Sequence, residues 1–150
     1  MTRSSMAHFA DEVSKLMPSI MREFLKRQAK EITQGNITFS QILILDILRG
    51  KDSMRMGELA NSLGVSMAAA TGIVDKLVRN GFALRGGSPN DRRIVNISIT
   101  SQGKRIAEKH NQARMKAIVD IFKNLSEPDR NKYLEILQKI NQHLRQAARN

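Results

Sequence analysis

The 150-residue chain contains no cysteine and no tryptophan, and aromatic residues make up only 4% of it. Without thiols, no disulfide can hold the fold and no cysteine can serve as nucleophile or oxidant sensor. Histidine is scarce as well. His8, His110 and His143 fall on separate amphipathic stretches, at spacings unlike H-E-x-x-H, and read as surface or interface residues. No clustered His/Cys set is present, so no metal site is expected. Asp11 and Glu12 are adjacent and would diverge on a helix, a poor geometry for paired carboxylates. Gly86-Gly87 lacks the Lys-Ser/Thr of a phosphate-binding loop. The chain therefore reads as a non-enzyme that needs no cofactor. Its first residues lack the apolar core of a signal peptide, and no apolar run approaches membrane-spanning length. The expectation is a cytoplasmic protein with no membrane partner.

Acidic residues are also in short supply. Asp and Glu total 14 against 25 Lys and Arg, a formal net charge of +11. Such an imbalance suits a polyanionic partner, double-stranded DNA above all. From Lys76 to Arg93 the basic residues are Lys76, Arg79, Arg85, Arg92 and Arg93, and the acid is Asp91. The excess charge is thus concentrated in one stretch.

Two short helices precede and overlap that stretch. Leu59, Ala60 and Leu63 share a helical face, and Ala60 is small where a second helix would cross. Gly64 must end the first helix, with a positive φ as the natural means. Val65 is expected to plug the gap, and Ser66 to cap the second helix. Along that helix Ala70, Ile73, Val74 and Leu77 recur at helical spacing and face inward. Ser66, Met67, Ala68, Thr71, Gly72, Asp75, Lys76 and Arg79 are left to solvent or a partner. The first of these are small or hydroxylic, the slimness a helix needs to approach base edges in the major groove. Asn80-Gly81 stops the helix, with Gly81 left-handed. Helix pairs joined at a glycine occur in many α-helical domains, so the next segment carries more weight. Phe82-Ala83-Leu84-Arg85 alternates, Gly86 to Asn90 form a turn cluster, and Val95, Ile97 and Ile99 share one face of a second strand. This hairpin carries Arg85 near its base and Asp91, Arg92 and Arg93 at its tip, suited to phosphates and the minor groove. Asp91 is expected to pair with Arg93 and orient its guanidinium.

Residues 58–106, ELANSLGVSMAAATGIVDKLVRNGFALRGGSPNDRRIVNISITSQGKRI, resemble the multiple-antibiotic-resistance regulator (MarR) family of bacterial and archaeal transcription factors. Asp91 and Arg93 stand as that family's Asp-x-Arg pair in the wing. Phe39 to Leu45 is similar to its "T..Q…L..L" helix. The chain departs from the pattern at Ile99-Thr100, usually Leu-Thr, and in a recognition helix rich in Ala and Met. The resemblance implies a mainly α fold with a small β-hairpin (α+β): a winged helix-turn-helix lobe with N- and C-terminal dimerisation helices. It implies a sequence-specific regulator, most often a repressor, that binds DNA as a homodimer and responds to a small phenolic or anionic effector. Some relatives sense peroxide through cysteine, which this chain lacks. Met17, Met21, Phe24 and Leu45 could line an effector cleft or form ordinary core; the sequence assigns neither. A sequence-tolerant DNA-coating protein is the alternative that charge alone would allow.

The flanks complete the plan. Residues 6–33 read as a long helix with Pro18 kinking or breaking it and Gln34-Gly35-Asn36 ending it. Thr38 and Gln41 form a capping box, with Ile37 and Ile42 as its hydrophobic staple, on a helix ending at Gly50. Residues 54–56 can add a short strand to the hairpin. Thr100 starts a helix running to about Asn124, and Ser126-Glu127-Pro128-Asp129 starts the last. Tyr133, Leu137, Ile140 and Leu144, with Phe9 and Val13 near the N-terminus, belong to faces too broad for one small domain to cover. They are expected at a dimer interface. The resulting division is 1–37 (dimerisation helix), 38–100 (winged helix-turn-helix lobe) and 101–150 (dimerisation helices).

Overall fold

The computed structural model describes residues 3–31 and 37–148. Its elements run α1 (Arg3–Glu31), α2 (Phe39–Arg49), β1 (Met54–Arg55), α3 (Met56–Leu63) and α4 (Met67–Arg79). Then follow β2 (Ala83–Ser88), β3 (Asp91–Ile99), α5 (Ser101–Phe122) and α6 (Glu127–Ala147). The helix end expected at Gln34-Gly35-Asn36 lies outside the described residues. The chain forms two units, Arg27–Arg114 and Met1–Lys26 with Met115–Asn150. The first part of α5 belongs to the former and its last part to the latter.

In the Arg27–Arg114 unit, local signals set each boundary. Thr38 caps α2 by accepting the Gln41 N–H, and the Gln41 side chain accepts the Thr38 N–H in return. Ile42 is buried and Ile37 is packed against the core, as the staple requires. Gly64 ends α3 in the left-handed region at φ 66°, and Ser66 Oγ then accepts the Ala69 N–H to start α4. Gly81, at φ 74°, turns the chain from α4 into β2. Val65 does not plug the gap between the helices; it is 38% exposed. It stands outside the set of residues packed against the core.

The sheet has the order β1-β3-β2, antiparallel throughout. Residues 54–55 supply the short added strand, Met54 opposite Ile97. The largest fully buried side chains are Ile44, Leu45, Leu48, Leu59, Val74, Leu77 and Ile97. Each contributes about 1.5–3 kcal/mol on burial, and together they clamp α2, α3, α4 and β3 around one core. Leu45 is therefore core, not part of any cleft. Ile97 is buried, Ile99 half-buried and Val95 40% exposed, because the hairpin's apolar face runs outward past that core.

A second clamp fixes the base of the hairpin. Phe82 O accepts the Thr100 N–H at 3.1 Å, and Thr100 Oγ1 donates to Gly81 O and accepts the Gly103 N–H. A Cβ at Gly103 would lie 2.1 Å from Phe82 O, so only glycine permits this approach. The start of α5 is thereby locked to the turn between α4 and β2.

In the other unit, α1 continues through Pro18 without a break. Proline removes one i→i−4 bond, and the turns on either side of a 29-residue helix hold it. Ser126 caps α6 by accepting the Asp129 N–H. The Phe122 and Tyr133 rings meet at 5.1 Å between centroids, joining α5 to α6.

His110 differs from its expected surface position. It is buried on α5 in the Arg27–Arg114 unit, and its Nε2 and Asp46 Oδ1 have no hydrogen-bond partner among the described residues. The other Asp46 oxygen binds Arg114 Nη1 at 2.9 Å. Burial pushes the His110 imidazole below its ordinary value; Lys109 and Arg114 add to this, and Asp46 opposes it. An unfolded histidine protonates near about pH 6.5, before the folded one does. Stability is therefore retained above that pH and lost as the pH falls below it. The expected result is that His110→Leu reduces the fall in melting temperature between about pH 7.5 and about pH 5.5. An unchanged fall in thermal melts would remove His110 from the acid response.

Candidate nucleic-acid interface

The inner row of α4, Ala70, Val74 and Leu77, has no exposed surface. With 100° between successive residues, the opposite face must then carry Ala68, Ala69, Gly72, Lys76 and Arg79. All five are exposed, Met67 is 54% exposed, and Thr71 is half-buried at the edge of the face. Small residues occupy its first half and cations its last turn. The exposed Ser66 caps the helix at the same end.

The hairpin lies beside this helix. Arg85 Nη1 binds Asp75 Oδ1 at 2.7 Å, tying β2 to α4. Sequence reasoning left Asp75 among the outward residues without a role; no linear spacing links it to Arg85. Asp91 also differs from expectation. Its Oδ1 accepts the backbone N–H of Arg93 at 2.9 Å rather than the guanidinium. The carboxylate is a local turn acceptor two residues back from its donor, a geometry that Asp adopts readily. Ser88 pairs with Asp91 across the tip, after a register shift between Gly87 and Ser88.

Both acids of this face are thus engaged within the chain. Among the described residues, the Lys76, Arg79 and Arg93 side chains have no ion-pair partner. The Arg92 side chain lies outside the described residues. A cleft of about 590 Å³ opens between the start of α3, the start of α4 and the hairpin, lined by Arg55, Arg85, Arg93, Glu58 and Thr71 among others. Glu58 is partly committed there, accepting the Arg55 N–H. Three guanidiniums and a hydroxyl suit an oxyanion such as a phosphate. Among the described residues no group of three or more His, Asp or Glu is placed to hold a metal ion.

The residues expected at a dimer interface lie in the other unit. Phe9, Tyr133, Leu137, Ile140 and Leu144 are 42–65% exposed, and Val13 is half-buried. Met17, Met21 and Phe24 line an apolar cleft of about 490 Å³ with α5 and α6 residues, including Arg130 and Tyr133.

A helix-turn-helix with a slim outer face, beside an arginine-bearing hairpin that closes a three-stranded sheet, defines a winged helix-turn-helix DNA-binding protein. The comparisons with known proteins make this specific. Residues 37–95 match the family model "MarR family". The chain is 28% identical over 130 residues to the HTH-type transcriptional regulator YsmB of Bacillus subtilis, covering 86% of this chain and 88% of the relative. It is 27% identical over 127 residues to the HTH-type transcriptional repressor YetL of the same organism, covering 84% and 72%. A MarR family protein from Bacillus stearothermophilus superimposes with a TM-score of 0.77 at 25% identity, over 96% of this chain and 98% of that one. Residues 37–95 thus carry the MarR-family domain, and the chain is similar along most of its length to regulators of that kind; it is a DNA-binding transcriptional regulator. Proteins of this family regulate by binding DNA and are not enzymes.

The wing geometry makes a test of sign available. Arg93→Ala is expected to weaken binding to a specific duplex by about 1–3 kcal/mol without loss of folding. Asp91→Ala removes a negative charge yet should also weaken binding, because the Arg93 N–H loses its acceptor. Asp91→Asn keeps an acceptor and should bind as tightly as the parent or tighter. Fluorescence anisotropy decides: if both Asp91 variants bind more tightly, the carboxylate merely repels DNA.

Proposed function

We propose that this chain is a repressor that binds a pseudo-palindromic operator as a homodimer and is released by a small phenolic or anionic effector. The observation that carries the reading is the uncovered apolar surface of α1 and α6. Phe9, Leu16 and Ile20 on α1 are each more than half exposed, and α6 buries no residue at all. Water-facing surface of that kind is stabilised by a second copy, and two-fold pairing is the commonest way to supply one. Residues 1–37 and 101–150 then act as the dimerising parts and 38–100 as the reading lobe.

Two lobes related by a two-fold axis read half-sites about one helical turn, ~10 bp, apart. In each, Ser66, Met67, Ala68, Thr71 and Gly72 face the major groove. Lys76, Arg79, Arg85, Arg92 and Arg93 serve phosphates and the minor groove. Since both lobes must engage together, an effector acts by changing their separation. The family includes members that bind small ligands, and Arg130 and Tyr133 give the apolar cleft beside α1 a cation and a hydroxyl. The role of repressor follows YetL, which bears that name. No described helix is long and apolar enough to cross a membrane, in keeping with a cytoplasmic regulator.

A gel-shift assay with rising salt and competitor DNA tests this reading. The full chain should keep its preference for one palindrome, whereas a coating protein would lose all sequences alike. Truncation after Asn124 removes α6 and should yield a monomer or an insoluble chain. A soluble truncated dimer that still selects the palindrome would refute the assigned interface.

A further inference from the structure

The outer row of α4 has a composition that the fold does not require. Gly72 is exposed in the middle of the helix, and its φ is not positive. A Cβ placed there would meet nothing within 4 Å. Alanine would strengthen the helix at that position, so neither backbone strain nor internal packing accounts for the glycine. What gains from the missing Cβ must approach from outside the chain.

The chemistry around Gly72 narrows what that is. Ala68 and Ala69 are exposed and Thr71 is half-buried. This half of the face therefore offers methyl groups, the Met67 thioether and the hydroxyls of Thr71 and of the Ser66 cap, with no amide, carboxylate or guanidinium to exchange paired hydrogen bonds with guanine or adenine. In the major groove thymine alone presents a methyl group, at C5. The cations of Lys76 and Arg79 follow on the same face and suit flanking phosphates.

We propose that α4 reads thymine C5-methyl groups in the major groove through Ala68, Ala69 and Thr71, and that Gly72 sets the closest approach of the helix backbone to the base edges. The proposal rests on the operator-binding reading above and adds the base class that the operator must carry. Each half-site presents thymines opposite the first half of α4. Specificity there comes from apolar contact and fit, with phosphate contacts fixing the register.

The test uses the full chain and a random duplex library. Sites recovered by selection are resynthesised with deoxyuridine for thymidine, one position at a time, and titrated by anisotropy. The expected result is a preferred site with thymines in each half. Each contacted dT→dU replacement should weaken binding about fourfold, the worth of one buried methyl. Gly72→Ala should melt at a higher temperature than the parent yet bind the same duplex about tenfold more weakly or worse. A preferred site at which every deoxyuridine duplex binds as tightly as its thymidine parent overturns the proposal and leaves operator binding intact. Unchanged affinity in Gly72→Ala overturns the close approach. If selection recovers no preferred sequence, the operator reading falls first and this inference with it.

Discussion

Ala70, Val74 and Leu77 have no solvent-exposed surface, and that row decides where the rest of α4 points. A helix has one rotational setting once three inward positions are fixed. Its partners are equally buried: Leu45 and Leu48 of α2, Leu59 of α3 and Ile97 of β3 are all at 0% exposure. Close packing of this kind transmits position, since no side chain in the set can shift without opening a void. The outward face proposed to read DNA is therefore the geometrical complement of the core. Gly64 and Ser66 set where α4 begins, and Gly81 and the Phe82–Gly103 approach set where the wing departs. Helix and wing are thus presented as one rigid element, the preorganisation that a reader of DNA needs.

Electrostatics is arranged on top of that frame. Two carboxylates on the face proposed to meet DNA would oppose it, yet each is turned to internal use. Asp75 holds the Arg85 guanidinium and so braces the wing against α4, while Asp91 holds the Arg93 N–H and so shapes the tip. What remains outward is positive. An exposed ion pair contributes little to stability, about 0–1 kcal/mol, so the value of Asp75–Arg85 lies in direction.

Most of the lobe was legible in the sequence because its signals are local. The Thr38–Gln41 box, the Gly64 turn, the Ser66 cap and the Gly81 stop all act within a few residues, and each appears where its residues are. The short strand expected at residues 54–56 appears at Met54–Arg55, paired with β3. What escaped was non-local or side-chain-specific. Asp75–Arg85 joins a helix to a strand across a turn, and nothing in a linear pattern announces it. The burial of His110 depends on α5 packing against α2, with Asp46 and Arg114 nearby, so periodicity along α5 alone could not place it. Asp91 was located correctly, but its contact was not: carboxylate-to-backbone turns and carboxylate–guanidinium pairs use the same two residues. Val65 shows the same limit, since an apolar residue in a turn points wherever the turn directs it.

The central claim is that two such rigid elements, one from each chain, engage a single DNA site together. Hydroxyl-radical footprinting of the full chain on its selected duplex tests this most directly. The account predicts two protected half-sites on one face of the duplex, related by two-fold symmetry, with centres about one helical turn, ~10 bp, apart. Protection of a single half-site at full affinity, or even protection along the whole duplex, would contradict it.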